Sequence, residues 1–315
     1  MKDRHLRPLL LLTLTASGLL LSGCIHEHLT PCDDLYTVRP IFECNMLFAD
    51  AFASQVRSVD IKVFDSQSGA EVYAYSESGD ALAEPGYTVR LPIPAGTYDI
   101  LCWAGMAEGD SFSHTSAAEE DGIRAHGVRL NTAEGSISRE RLNHLYHGLV
   151  RVTYTDSYIT DLPGIQTADL PLTKNTNRIY VMLHNLDGTP LQPDDFAVSI
   201  TADNGLMRHD NTLVSGNRVS YRPWDVSAIE ADTGETDAGA DMEAGADMEA
   251  DAGAVTGGAG GEARGVTRGA AALLGAELSV GRLMAEGEGR LEVHRLTDGE
   301  RIISIPLERN LLYTA

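Results

Sequence analysis

The stretch Pro94-Ala95-Gly96-Thr97-Tyr98-Asp99-Ile100-Leu101-Cys102-Trp103-Ala104 decides the fold class. Pro94 to Thr97 supply turn chemistry, and Tyr98–Ala104 then reads as a strand. Tyr98, Ile100 and Cys102 alternate with Asp99, Leu101 and Trp103, so both faces are fairly apolar. A strand with one wet face alternates apolar with polar. One that is apolar on both faces lies centrally, between packed layers.

Outward from it, short period-two runs recur. Val56–Asp65 sets Val59, Ile61 and Val63 against Asp60 and Lys62, and Asp65-Ser66-Gln67-Ser68-Gly69 turns it into Glu71–Tyr75. Tyr87–Pro92 and Leu149–Tyr154 follow the same rule. Asn177–Leu186 sets Ile179, Val181 and Leu183 against Arg178, Tyr180, Met182 and His184. Phe196–Ile200 and Arg218–Pro223 are further short strands. Arg290–Leu296 and Arg301–Leu307 flank Thr297-Asp298-Gly299-Glu300, which is a hairpin signal, with Pro306 marking an edge strand or its end. Short strands punctuated by Gly and Pro predict an all-β protein of sandwich type. Residues 105–144 are weakly patterned, with a short helical turn expected at Ser138–Leu142. The reading divides the chain into a tether over 24–40, an N-terminal sandwich over 41–147 and a C-terminal sandwich over 148–315.

One segment breaks the pattern. Between about 227 and 272 aliphatic residues nearly vanish, and GADMEA at 239–244 repeats at 245–250. Ten acidic residues and no Lys or Arg lie between Asp225 and Asp251. Such a stretch buries too little apolar surface to offset the entropy of ordering it, so it reads as an insertion in a loop. Its carboxylates lack the ligand spacing of a calcium loop. Arg264 and Arg268 at its end are expected to be accessible to proteolysis.

At the other end, Lys2, Arg4 and Arg7 precede an apolar run from Leu9 to Leu21 that holds eight leucines and closes in Leu21-Ser22-Gly23-Cys24. The run is shorter than the ~20 residues of a spanning helix, and its parts are those of a secretory signal. With Cys after the small pair, it resembles a bacterial lipoprotein signal. That resemblance implies loss of residues 1–23 and lipid on Cys24, with an uncleaved anchor or an ordinary signal as the alternatives. Burial of acyl chains contributes ~0.8 kcal/mol per CH2, enough for stable attachment when there is more than one chain.

Removing residues 1–23, with Lys2, Arg4 and Arg7 against Asp3, takes the formal charge from −22 to −24. A surface that acidic repels phosphate backbones and disfavours nucleic acid as a partner. Beyond Cys24, the cysteines Cys32, Cys44 and Cys102 allow one disulfide and one buried thiol, with the pairing open. Their spacing matches no zinc pattern, and His26 and His28 read as polar tether. His144 and His147 are expected to be hydrogen-bonded near the domain junction. No Gly-x-Ser-x-Gly elbow, P-loop or His-Glu-x-x-His is present, so the chain reads as non-enzymatic, with no cofactor.

Several stretches together resemble the FimB/Mfa2 family of fimbrial anchor lipoproteins of Bacteroidales. They are CIHEHLTPC (24–32), VDIKVFDSQSG (59–69), LPIPAGTYDILCWAGM (91–106), LYHG (145–148) and LPLTKNTNRIYVMLHNLDG (170–188). The resemblance implies two tandem transthyretin-like β-sandwich domains after a lipoprotein signal peptide. It also implies an outer-membrane subunit at the fimbrium base that attaches the shaft, limits its length and joins it by strand addition. The acidic insertion departs from the family pattern, and the chain stops soon after its last hairpin. Two other functions remain on the sequence alone: a surface glycan-binding lipoprotein, and a minor tip subunit or adhesin of the same fimbria. Glycan binding would call for an exposed aromatic platform, whereas Trp103 lies in a buried-type strand and leaves Trp224 with scattered tyrosines.

Overall fold

The computed structural model describes residues 35–43, 49–118, 120–132, 136–156, 164–230, 272–284 and 289–307. The signal segment, Cys24, Cys32, Cys44, the tether histidines, Arg264, Arg268 and the GADMEA repeats lie outside the described residues. The first strands are β1 (Leu35–Ile41), β2 (Ser58–Asp65), β3 (Glu71–Ser78), β4 (Val89–Leu91), β5 (Gly96–Ala104), β6 (Phe112–Ser116) and β7 (His126–Leu130). Next come β8 (Ile137–Ser138), β9 (Tyr146–Tyr154), β10 (Ile165–Pro171), β11 (Thr173–Lys174), β12 (Thr176–Leu183) and β13 (Phe196–Asp203). The last are β14 (Leu206–Arg208), β15 (Arg218–Tyr221), β16 (Asp225–Glu230), β17 (Ala272–Gly281), β18 (Arg290–Arg295) and β19 (Arg301–Pro306). Among the described residues the only α-helix is the single turn Phe52–Gln55.

The strands form five sheets. Sheet A has the order β10-β1-β4, sheet B β11-β9-β5-β2-β3, sheet C β14-β7-β6, sheet D β19-β18-β13-β15-β8 and sheet E β12-β17-β16. Strand β5 sits in the middle of sheet B, as its two apolar faces require. Ile100, Cys102 and Ala104 join Val59, Ile61 and Val63 in a core closed by Tyr36, Val38, Val89, Leu91 and Leu170 of sheet A. Leu101 and Trp103 on the opposite face enter a second core with Phe112 and Val128 of sheet C and the inner faces of sheets D and E. Asp99, the polar residue on that second face, meets the exposed Arg151 in a forked pair of 2.7 and 2.8 Å.

The fold is all-β, and its two sandwiches divide differently from the sequence reading. The first sandwich already includes Leu35–Pro40, inside the stretch read as tether. It continues past residue 147, because β9 pairs with β5 along all of Gly96–Ala104 and β10 pairs with β1. Only after Lys174 does the chain pass into the second sandwich through Asn175 and β12. Residues 105–144 are a tie between the two: β7 pairs with β14, and β8 pairs with β15. The turn expected at Ser138–Leu142 is not helical. Ser138 instead closes β8, and its carbonyl accepts from the Arg222 amide at 2.8 Å.

Around the acidic insertion, β16 continues to Glu230 and β17 starts at Ala272. These two end residues face each other in an antiparallel pair. Residues 231–271 therefore join the tips of one hairpin, at the end of sheet E remote from Asn175. Loop-closure entropy grows slowly with length, by about 0.6 kcal/mol per doubling. Replacing 231–271 with Asn-Gly should therefore raise the free energy of unfolding by about 2–3 kcal/mol, measured by urea denaturation. A fall in stability would show that the insertion packs on the fold.

Candidate anchoring and assembly surfaces

The strand nearest the expected attachment point is β1. Tyr36, Val38 and Phe42 from this part of the chain are buried, and β1 lies between two partners. It runs parallel to β10, with the register Leu35↔Ile165 through Ile41↔Pro171, and antiparallel to β4 over Tyr36–Val38. Cross-links supplement the ladder. The Thr37 and Thr167 hydroxyls are 2.7 Å apart, and the Arg39 guanidinium donates to both Asp169 oxygens at 2.8 and 3.0 Å. The Tyr154 hydroxyl donates to the Thr37 carbonyl at 2.8 Å. Pro40 is tolerated because β4 has ended by that position, leaving β1 with a single neighbour there.

The ends of these strands define two poles. The Leu172 amide donates to the Ile41 carbonyl at 2.8 Å, so the C-terminal ends of β1 and β10 both point toward the second sandwich. Leu35 lies at the opposite end. Leu35 thus begins β1 at the end opposite the Ile41–Pro171 end that leads to the second sandwich, whereas the β16–β17 tip lies at the end of sheet E opposite Thr176.

Open strand edges present unpaired N–H and C=O groups that another strand could satisfy. Strand β3 is a sheet edge but is guarded. Its Glu77 is on the same side as the buried Val59, where the Tyr75 and Tyr87 hydroxyls donate to one carboxylate oxygen. Those bonds hold the Glu77 carboxyl below the usual range, while burial, followed by the bond to Glu77, pushes the Tyr87 hydroxyl up. Strand β19 carries a register shift opposite Val293/His294 and ends at Pro306, as expected for an edge. Among the described residues strand β12, at the end of sheet E, has no such guard. Its Tyr180 and Met182 are 54% and 60% exposed, and the Tyr180 ring lies over Gly275, where a Cβ would fall 2.5 Å from its hydroxyl. Arg178 pairs with Glu277 on the same face at 2.9 Å.

Cys102 is a buried free thiol, and burial pushes its pKa up. No helix runs through His144 and His147. His147 is the second residue of β9 and bonds the His209 carbonyl at 2.7 Å, across to the second sandwich, whereas His144 meets the Tyr146 hydroxyl at 3.5 Å. Trp103 is buried and Trp224 is 39% exposed. Trp224 precedes Asp225, which faces Glu277 and hence Tyr180 across sheet E, so Trp224 is one residue out of step with the exposed tyrosine. Among the described residues no cluster of His, Cys, Asp or Glu is placed to hold a metal ion, and no helix is long and apolar enough to cross a membrane.

Two sandwiches tied by the β7–β14 and β8–β15 pairs place the chain in the β-sandwich class. The chain belongs to the family of fimbrillin-A associated anchor proteins Mfa1 and Mfa2, whose model matches residues 29–314. It is therefore a fimbria-associated protein of the cell surface, in a family of structural rather than catalytic proteins. Among solved structures it is similar to an adhesin candidate from Bacteroides thetaiotaomicron VPI-5482, at 28% identity and a TM-score of 0.71, covering 90% of this chain and 83% of that one. The fimbrial anchor protein Mfa2 from Porphyromonas gingivalis shares the fold at 15% identity and a TM-score of 0.60, over 89% and 85% of the two chains. A DUF1812 structure from B. thetaiotaomicron, described as a candidate polysaccharide-binding protein, shares it at 23% identity and 0.66, over 87% and 81%. No curated protein matches the sequence.

Proposed function

We propose that this protein is a lipid-anchored, non-enzymatic fimbrial subunit that attaches the shaft to the outer membrane and limits its length. The observation that carries this reading is the family match over residues 29–314. The topology agrees with it. β1 begins at the end opposite the one that leads to the second sandwich, so lipid on Cys24 would leave that sandwich pointing away from the membrane. A shaft subunit would join by strand addition, and β12 is an eight-residue edge that lacks the guards of β3 and β19.

The test is Cys24→Ala in a fimbriated host. Loss of the acyl chains removes the stabilisation of ~0.8 kcal/mol per CH2, so fimbriae should be shed into the medium in long form, scored by electron microscopy and immunoblotting of supernatants. Cell-bound fimbriae unchanged in number and length would refute the anchor reading.

A further inference from the structure

The arrangement of β1 and β10 does more than close a sheet. The two strands are parallel and in register over seven pairs, Leu35↔Ile165 to Ile41↔Pro171. The N-terminal end of β1 receives the chain from the attachment side. The C-terminal end of β10 leads through β11 and Asn175 into the second sandwich. A load between attachment point and second sandwich therefore enters at the N-terminus of one strand and leaves at the C-terminus of its parallel neighbour. In that geometry the strands can separate only by sliding lengthwise, which loads every rung of the ladder at once. A load applied at the same end of both strands would open the rungs one after another.

We propose that the parallel β1–β10 pair is a mechanical clamp, built to resist a pull on the N-terminus in shear. The side chains add to the resistance. The Thr37–Thr167 contact and the Arg39–Asp169 fork both lie across the sliding direction, and Val38 and Tyr36 would have to leave the core for β1 to move. On its other side β1 is held by β4 over Tyr36–Val38, and the Tyr154 hydroxyl holds the Thr37 carbonyl. Forced rupture is governed by the unfolding barrier along the pulling coordinate, so resistance depends on direction as well as on stability. The source of the load, a membrane tether opposed by a fimbrial shaft, rests on the anchor reading; the clamp itself rests on topology.

Single-molecule pulling on the full chain tests it, with a bio-orthogonal attachment at Leu186 in the second sandwich and a second at either Leu35 or Glu43. The Leu35–Leu186 pull loads β1 and β10 in shear. The Glu43–Leu186 pull loads the same strands from their shared C-terminal end and peels them. Circular dichroism and thermal unfolding of both labelled proteins serve as the control that one fold is being compared. The clamp predicts a rupture force several-fold higher in the first geometry at equal loading rate. Equal forces, or a weaker Leu35 geometry, would overturn it. Because no membrane or shaft is present, failure of the Cys24→Ala test would leave this result standing, and the reverse also holds.

Discussion

Gly105→Ala will destabilise the protein by about 4 kcal/mol or more, enough to remove most of the stability of an ordinary domain. Gly105 follows β5 with φ 87°, in the left-handed region where a side chain costs about 1–2 kcal/mol. The larger cost is steric. A Cβ there would lie 1.8 Å from the His144 carbonyl oxygen, which is backbone and has no rotamer to escape into. Relief requires moving the segment that leads into β9. That segment holds the fully buried Leu145 and Tyr146, and Asn143, whose amide donates to the Gly105 carbonyl at 2.7 Å. The Gly105 amide is itself committed to the Ser58 carbonyl at 2.9 Å. Gly69→Ala is the matched control. Its φ is 72° but nothing lies within 4 Å of the added methyl, so it should cost only the conformational part, about 1 kcal/mol. Urea midpoints of the two variants measure the difference, and equal losses would show that the close approach at Gly105 relaxes freely.

The central position of β5 was legible because YDILCWA is apolar on both faces, and each face enters a different core. β2, β12 and the β18–β19 hairpin were legible from strict alternation around turn residues. Other strands were hidden for identifiable reasons. In β1, Arg39 and Pro40 give a polar reading to a segment whose burial depends on β10, some 130 residues away. β10 itself (IQTADLP) is an edge strand that carries Gln166, Thr167 and Asp169 and ends in Pro171, so it shows no clear apolar face. β17 follows directly on the acidic segment and opens with Ala, Leu and Gly, so composition ran the two together, although Leu274, Ala276, Leu278 and Val280 are fully buried. The boundary near 148 was misplaced because the partner of β9 lies at 96–104, and alternation reports a strand without reporting its neighbour. Cys24, the one residue assigned a role from sequence, precedes the described residues. The open edge of β12 was missed as a surface because exposure of Tyr180 and Met182 depends on which strand takes the edge.

Acidification will weaken the fold through His147, and substitution at that position will remove the effect. His147 is buried, edge-on to Trp103 with ring centroids 4.7 Å apart, and its Nε2 donates to the His209 carbonyl. Burial is the main cause that pulls its pKa down from 6.5 to about 4; the nearby Arg282 and His209 charges act in the same direction, while the His209 carbonyl and Asp210 oppose them. The folded state therefore refuses a proton that the unfolded chain accepts. Stability is full above pH 6.5, declines as the pH falls through the unfolded value, and carries the whole penalty below about pH 4, amounting to about 3 kcal/mol. Carboxylates such as Asp60 and Asp210 titrate below their usual value of 3.8, so their contributions are lost mainly beneath this window. His126 is also shifted down by burial and contributes in the same sense, so the comparison must be made against a variant rather than against a flat line. His147→Gln keeps an N–H donor for the His209 carbonyl but cannot titrate. Its free energy of unfolding should fall less between pH 7 and pH 4.5 than that of the parent, by about 2 kcal/mol or more. Parallel pH profiles for the two proteins would mean that His147 takes up its proton within the fold, and that the contact across the two sandwiches survives the added charge.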